Sequence, residues 1–330
     1  MDSFLFSLNA VLPIVVMVAI GYLVKRSGML NDTIARVLNK LVFRLFLPAM
    51  LFLNIYDIED LGEIEFGYIL YGMIATVLMF VVSLPIVILY TKHRDRRGPL
   101  LQSTFRSNNA LIGVPLAEAL CGSAGVVAAA LLGAVVIPLY NILAVISLSL
   151  FSDKNGQRPS VKRMVLDILK NPLIQGIAVA LVTLGVRMIF VKANISFRLS
   201  EVTVLFKVLN YLSNLATPLS LLALGAQFEF SVIGELKREI IFGTAARTVV
   251  YPALCLGAAY IFFRDTFTPA HFAVFVSIFA TPVAVSSVPM TQEMGGDVGL
   301  AGQLVVWSTL ISAFSIFFSC LLLRIAGIFG

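Results

Sequence analysis

Long apolar runs alternate with short polar breaks along this chain. The first run occupies 4–24, with Asp2 before it and Lys25 and Arg26 directly after it. Further runs fall near 37–55, 66–90, 100–120 and 126–150, and resume after a polar stretch near 172–190, 203–228, 239–263, 270–292 and 299–323. A bilayer core takes about 20 apolar residues per helix, so the pattern predicts ten membrane-spanning helices. A secretory signal would begin with cations and end in a small-residue cleavage site. The first run does neither and is expected to be a retained helix.

Composition leads to the same class. AVILMFWYC make up 59% of the 330 residues and DEKR 13%, whereas a soluble chain carries about 25% charged residues. That excludes a soluble enzyme, a nucleic-acid binder and a disordered scaffold. The net charge of +6 matters through its placement. In a ten-helix topology, one side receives Lys25, Arg26, Arg36, Lys92, Arg94, Arg96, Arg97, Lys154, Arg158, Lys162, Arg163, Lys170, Lys237 and Arg238. The other receives only Arg187, Lys192, Arg198, Lys207, Arg264 and Arg324, and its 56–65 connection holds five acids without a cation. Cations mark the cytoplasmic side, so both termini are expected outside a plasma membrane.

The longest connection, 151–170, begins SDKNGQRPSVKR and is expected to be cytoplasmic. It separates five helices in 1–150 from five in 171–330. An odd number per half makes the second enter the membrane from the opposite side, as in an inverted-topology repeat. Proline positions agree: Pro48 and Pro218 are 170 residues apart, Pro85 and Pro252 are 167 apart, and so are Pro115 and Pro282.

Two runs do not read as ordinary spans. The fourth, LLQSTFRSNNALIGVPLAEALCG, carries Arg106, Asn108, Asn109, Gly113 and Pro115. The ninth, HFAVFVSIFATPVAVSSVPMTQEMGG, carries Thr281, Pro282, Ser286, Ser287 and Pro289. Proline removes a backbone donor and obstructs the carbonyl four residues back. In hydrocarbon, irregular backbone survives only inside protein or beside a wet cavity. Matching breaks in the two halves point to a substrate site at mid-membrane. The new helix ends would present N-terminal amides that attract anions, and Asn109, Thr281, Ser286 and Ser287 are candidates for a polar lining.

Other polar residues at membrane depth have simpler readings. Asn141 and Gln303 are interhelical hydrogen-bond formers or ligand contacts. Arg44, Arg106 and Arg247 lie near helix ends, where snorkelling to the interface is the ordinary outcome, although an intramembrane cation also signals a functional site. Arg106 is the candidate for a charge role, and Glu118 and Glu293 are candidates for carrying a proton. His271 is expected at the outer interface and His93 in a solvated connection.

The order of GYLVKRSGML, LVFRLFLPAMLF, SNNALIGVPLAEALCG, NPLIQGIAVAL, ATPLSLLALGAQF, RTVVYPAL and ATPVAVSSVPMTQEMGGDVGLAGQLVVWSTLIS resembles the auxin efflux carrier family. That family lies within the bile-acid/arsenite/riboflavin transporter superfamily, and the resemblance spans nearly the whole chain. It implies a scaffold of helices 1, 2, 6 and 7, often dimeric. It also implies a mobile unit of helices 3–5 and 8–10, in which the fourth and ninth cross at Pro115 and Pro282. The family pattern N-x-x-x-x-G-x-P places its asparagine at Asn108, a donor to a carboxylate. The cargo implied is a small organic anion, a mono- or dicarboxylate or an auxin-like acid, with H+ or Na+ as candidate coupling ions. The short central connection looks prokaryotic.

The expected function is therefore a secondary carrier in contact with the lipid bilayer, with no nucleic-acid partner. Its rival is a channel or membrane sensor without a transport cycle, for which no repeated filter or signalling domain is present. An intramembrane enzyme would need clustered metal ligands. Cys121, Cys255 and Cys320 are far apart and the two histidines are 178 residues apart, so no metal, cofactor or catalytic residue is expected.

Overall fold

The computed structural model describes residues 2–56, 66–152, 165–166 and 168–329. The acidic 57–65 stretch and the basic 153–164 stretch used in the topology argument lie outside the described residues. The described chain is all-α. In order it forms α1 (Asp2–Arg26), α2 (Asp32–Tyr56), α3 (Phe66–Tyr90), α4 (Arg94–Phe105) and α5 (Val114–Phe151). There follow α6 (Pro172–Lys192), α7 (Thr203–Gln227), α8 (Ile233–Phe263), α9 (Pro269–Phe279), α10 (Ser287–Met294) and α11 (Val298–Ile325). Seven helices among the described residues are long and apolar enough to cross a membrane, so the chain is an integral membrane protein. The two anomalous runs are indeed broken, one between α4 and α5, the other between α9 and α10.

Proline explains several local departures from α geometry. Single π turns occupy Val42–Phe46 in α2, Asn109–Gly113 before α5 and Ala246–Val250 in α8. Each ends two residues before a proline: Pro48, Pro115 and Pro252. Widening the helix at that point accommodates the carbonyl a proline cannot satisfy. The first arm of α5 ends at a kink where Gly122 takes φ 58°, ψ −142°, a conformation essentially restricted to glycine. The fourth and fifth apolar runs of the sequence thus meet at Cys121 and Gly122.

Two apolar cores organise the helices. One joins α3, α4, α5, α8, α9 and α11. The other joins α2 to α6, with side chains from α5, α7 and α10. α1 packs on α7 through paired glycines. A Cβ at Gly21 would overlap the Leu222 carbonyl, and one at Gly225 would overlap that of Val18. At one end of the first group, Arg96 of α4 ties three helices by facing Glu235 and Glu239 of α8 and Asp297 at the start of α11.

Candidate functional site

The two breaks meet inside the protein. After α4 the chain is extended at Arg106 and Ser107, and after α9 it is unwound from Pro282 to Ala284. Ser107 and Val283 form an isolated antiparallel bridge. The Asn108 N–H donates to the Pro282 carbonyl (2.9 Å) and the Ala284 N–H to the Arg106 carbonyl (3.3 Å). The Val283 N–H donates to Ser308 Oγ of α11 at 3.0 Å. Unwound backbone buried from water must find such partners, and each break supplies them to the other. The crossing sits at Ser107 and Val283, beside Pro282. Pro115, expected at the crossing itself, lies further along and is exposed at the start of α5. A Cβ at Gly113 would overlap Asn109 Oδ1 and displace that side chain.

Arg247 closes the carbonyl ends of both broken helices. Its Nε donates to Thr281 O (2.8 Å), Nη2 to Ile278 O (2.7 Å) and Nη1 to Phe105 O (3.3 Å). Terminal carbonyls lack intrahelical donors and carry partial negative charge, so a cation suits them. Its side chain is 0% exposed. Snorkelling, the sequence-based expectation, is wrong for this residue because its hydrogen-bond partners lie in the interior.

Beside the crossing lies a cavity of about 410 Å³. Arg106, Ser107, Asn108 and Ser286 from the crossing line one wall, together with Tyr140 and Asn141 of α5. Asn54 of α2 and Ser213, Asn214 and Thr217 of α7 line the other. Arg106 is 3% exposed, so it too does not snorkel. Its Nη2 donates to Asn141 Oδ1 and Ser286 Oγ, both at 2.8 Å. Its Nη1 donates to Gln102 Oε1 at 3.4 Å and lies against the Met290 sulfur. Every partner is neutral, and no carboxylate among the described residues pairs with it. The buried Nδ2 atoms of Asn54 and Asn108 have no hydrogen-bond partner among the described residues.

Of the residues singled out from the sequence, Arg106, Asn108, Asn141 and Ser286 come together in this wall. The others do not line the cavity. Asn109 Oδ1 accepts from Ser277 Oγ (3.0 Å), and Thr281 Oγ1 donates to Ser277 O (2.7 Å). Ser287 is buried behind Ser286 at the start of α10. Gln303 donates to the Glu229 carbonyl in the connection between α7 and α8 (2.8 Å) and accepts from Trp307 Nε1 on its own helix (3.0 Å). Glu118 is exposed on the first arm of α5. Glu293 pairs with Arg44 of α2 (3.2 Å). His271, in the first turn of α9, is 6% exposed and stacked on Tyr68 at 4.1 Å. The sequence reading missed Asn54, Ser213, Asn214 and Thr217. The signal available for α7 was a polar face, with Ser213 and Thr217 four apart beside Asn214.

Towards the N-terminal end of α2 the cavity gives way to a polar knot. Asn39 Nδ2 donates to Gln227 Oε1 (2.7 Å) and Gln292 Oε1 (3.0 Å). Gln292 Nε2 donates to the Arg36 carbonyl (2.9 Å). With the Arg44–Glu293 pair, these contacts tie α10 to α2 and α7.

Residues 6–319 match the membrane transport protein family. Among curated proteins, the chain is similar to an uncharacterised transporter of Methanothermobacter thermautotrophicus, with 24% identity covering 95% of this chain and 97% of that one. It is also similar to an uncharacterised transporter of Methanocaldococcus jannaschii, with 26% identity covering 74% and 77%. The chain belongs to the membrane transport protein family, that of the auxin efflux carriers.

Proposed function

We propose that this protein is a secondary carrier of small organic anions that works by alternating access, with its cargo held between the crossing and the α2/α7 wall. The observation that carries the reading is Arg106, a buried guanidinium at a cavity whose partners are all neutral. Burying an ion without a counter-charge is costly, and an anion entering the cavity would offset that cost. The unpartnered amides of Asn54 and Asn108 add donors that suit a carboxylate or another polar acceptor.

In this reading 1–150 and 171–330 are inverted repeats joined by 151–170. The order of helices before and after that connection supports it: three long helices, a broken one and a last long one. α1, α2, α6 and α7 form the scaffold and the dimer face, and the remaining helices move. The knot around Gln292 closes one side and must open in the cycle. Both termini lie outside a prokaryotic plasma membrane, with the knot on the cytoplasmic side. H+ and Na+ are the coupling ions to test.

Purified protein in liposomes preloaded with unlabelled anion should take up labelled anion saturably and by exchange. The panel should include monocarboxylates, dicarboxylates and indole acids. Unsaturable conductance would instead identify a channel, and no flux of any anion would remove the carrier reading.

A further inference from the structure

Among the described residues, the cavity wall carries one formal charge at neutral pH. Arg106 supplies it, and the other polar groups lining the cavity are amides and hydroxyls. Arg247, the other buried cation at the crossing, donates to three backbone carbonyls and does not line the cavity. No carboxylate lines the cavity among the described residues. The charge is fixed in place, because Asn141, Ser286 and Gln102 hold the guanidinium from the protein side.

We infer that the site selects anions bearing a single negative charge, with an uncharged polar group at the other end of the molecule. The inference rests on the carrier reading above and narrows it. One carboxylate facing Arg106 brings the local charge to zero, and the free Nδ2 of Asn108 gives it a further donor. Across the cavity, Asn54, Ser213 and Thr217 match a hydroxyl or carbonyl group. A second carboxylate would meet only dipoles there, and an ionised group moved from water without a counter-charge loses far more than amides return. Dianions are therefore disfavoured even where they fit.

The test uses two sets of probes that change charge and hydroxylation on a fixed skeleton. One set is propionate, 3-hydroxypropionate and malonate, and the other is their longer analogues hexanoate, 6-hydroxyhexanoate and adipate. Binding to the purified full chain is measured by calorimetry at pH 8, where both carboxylates of the diacids are ionised. In whichever size class binds, the hydroxylated monoanion should bind at least tenfold tighter than the dianion, about 1.4 kcal/mol, and tighter than the plain monoanion. Equal or tighter dianion binding overturns the inference and leaves the carrier reading standing. Failure of both sets to bind, together with no flux in the liposome panel, removes both.

A charge swap keeps the question open to refutation should substitutions at Arg106 fail to fold. Asn214 lies on the far wall and is exposed, so Asn214→Lys should be accommodated. The added cation should shift relative affinity towards the dianion by about tenfold. An unchanged ratio would show that cavity charge does not set the selection.

Discussion

Two arginines are sealed into the crossing, and they do opposite things with their charge. Arg247 is 0% exposed and Arg106 is 3% exposed, so burial does not distinguish them. Their partners do. Arg247 reaches three main-chain carbonyls at the ends of α4 and α9, groups that carry helix-end dipole, and shares that of Ile278 with the Tyr140 hydroxyl. Arg106 reaches an amide oxygen from α5, the Ser286 hydroxyl at the start of α10, and Gln102 on its own helix, while also lining a cavity. A cation answered by backbone carbonyls holds the fold together. One answered by neutral side chains at a cavity wall keeps its charge available to a ligand.

The comparison is broken most directly at Arg247. Arg247→Gln removes the cation and takes their side-chain donor from the Phe105 and Thr281 carbonyls. A buried acceptor left unsatisfied costs about 1–3 kcal/mol, and two are left here, so the variant should melt far below wild type in detergent or fail to insert. Arg247→Lys should recover part of the loss. A melting temperature for Arg247→Gln within two or so degrees of wild type would refute the capping role.

Arg106→Gln should divide the two roles. Anion affinity should fall by about a hundredfold, since a hydrogen bond to a charged group contributes roughly 1.5–3 kcal/mol and the Coulomb attraction goes with it. Thermal stability without ligand should fall less than in Arg247→Gln, because the wall loses an expensive buried charge along with its contacts. If affinity survives and stability collapses, Arg106 belongs with Arg247 as a structural group.

The breaks themselves were legible in the sequence, because proline and clustered polar residues at membrane depth are incompatible with a continuous lipid-facing helix. The partners across the breaks were not. Arg247 binds Phe105, which lies 142 residues away, and nothing local distinguishes it from an arginine at a helix end. Asn108 was marked by its place before Gly113 and Pro115, whereas its neighbour Asn109 looked equivalent. Only the π turn separates them, since it turns Asn109 to Ser277 and leaves Asn108 on the cavity. Asn54 is a lone polar residue in an apolar stretch of α2, and Asn214 belongs to a polar face of α7 with no local sign of what it meets, so their convergence on one cavity required the packing of α2 against α7.

Asn108 sharpens the comparison at smaller amplitude. Its Nδ2 is buried and unpartnered, so Asn108→Ala removes no side-chain hydrogen bond through that atom. Anion affinity should drop by roughly ten- to a hundredfold with near-normal melting. Affinity within about twofold of wild type would move Asn108 from ligand contact to support of the crossing.

The smallest effect is expected at the knot, where the contacts are part-buried or exposed and their net contribution is correspondingly small. A neutral hydrogen bond contributes about 0.5–1.5 kcal/mol, and Arg44, with 60% of its side chain exposed, contributes less through its ion pair. Gln292→Ala removes one of the two acceptors of Asn39 and the donor to the Arg36 carbonyl. It should therefore shift the balance between closed and open forms by about fivefold without altering the cavity. A cysteine at Ser213, in a chain with Cys121, Cys255 and Cys320 replaced, reports on that balance. In inside-out vesicles its labelling by an impermeant thiol reagent should accelerate severalfold in Gln292→Ala, and in right-side-out vesicles it should not. Equal rates in both preparations, with and without the substitution, would mean that the contacts between α10, α2 and α7 do not gate the cavity.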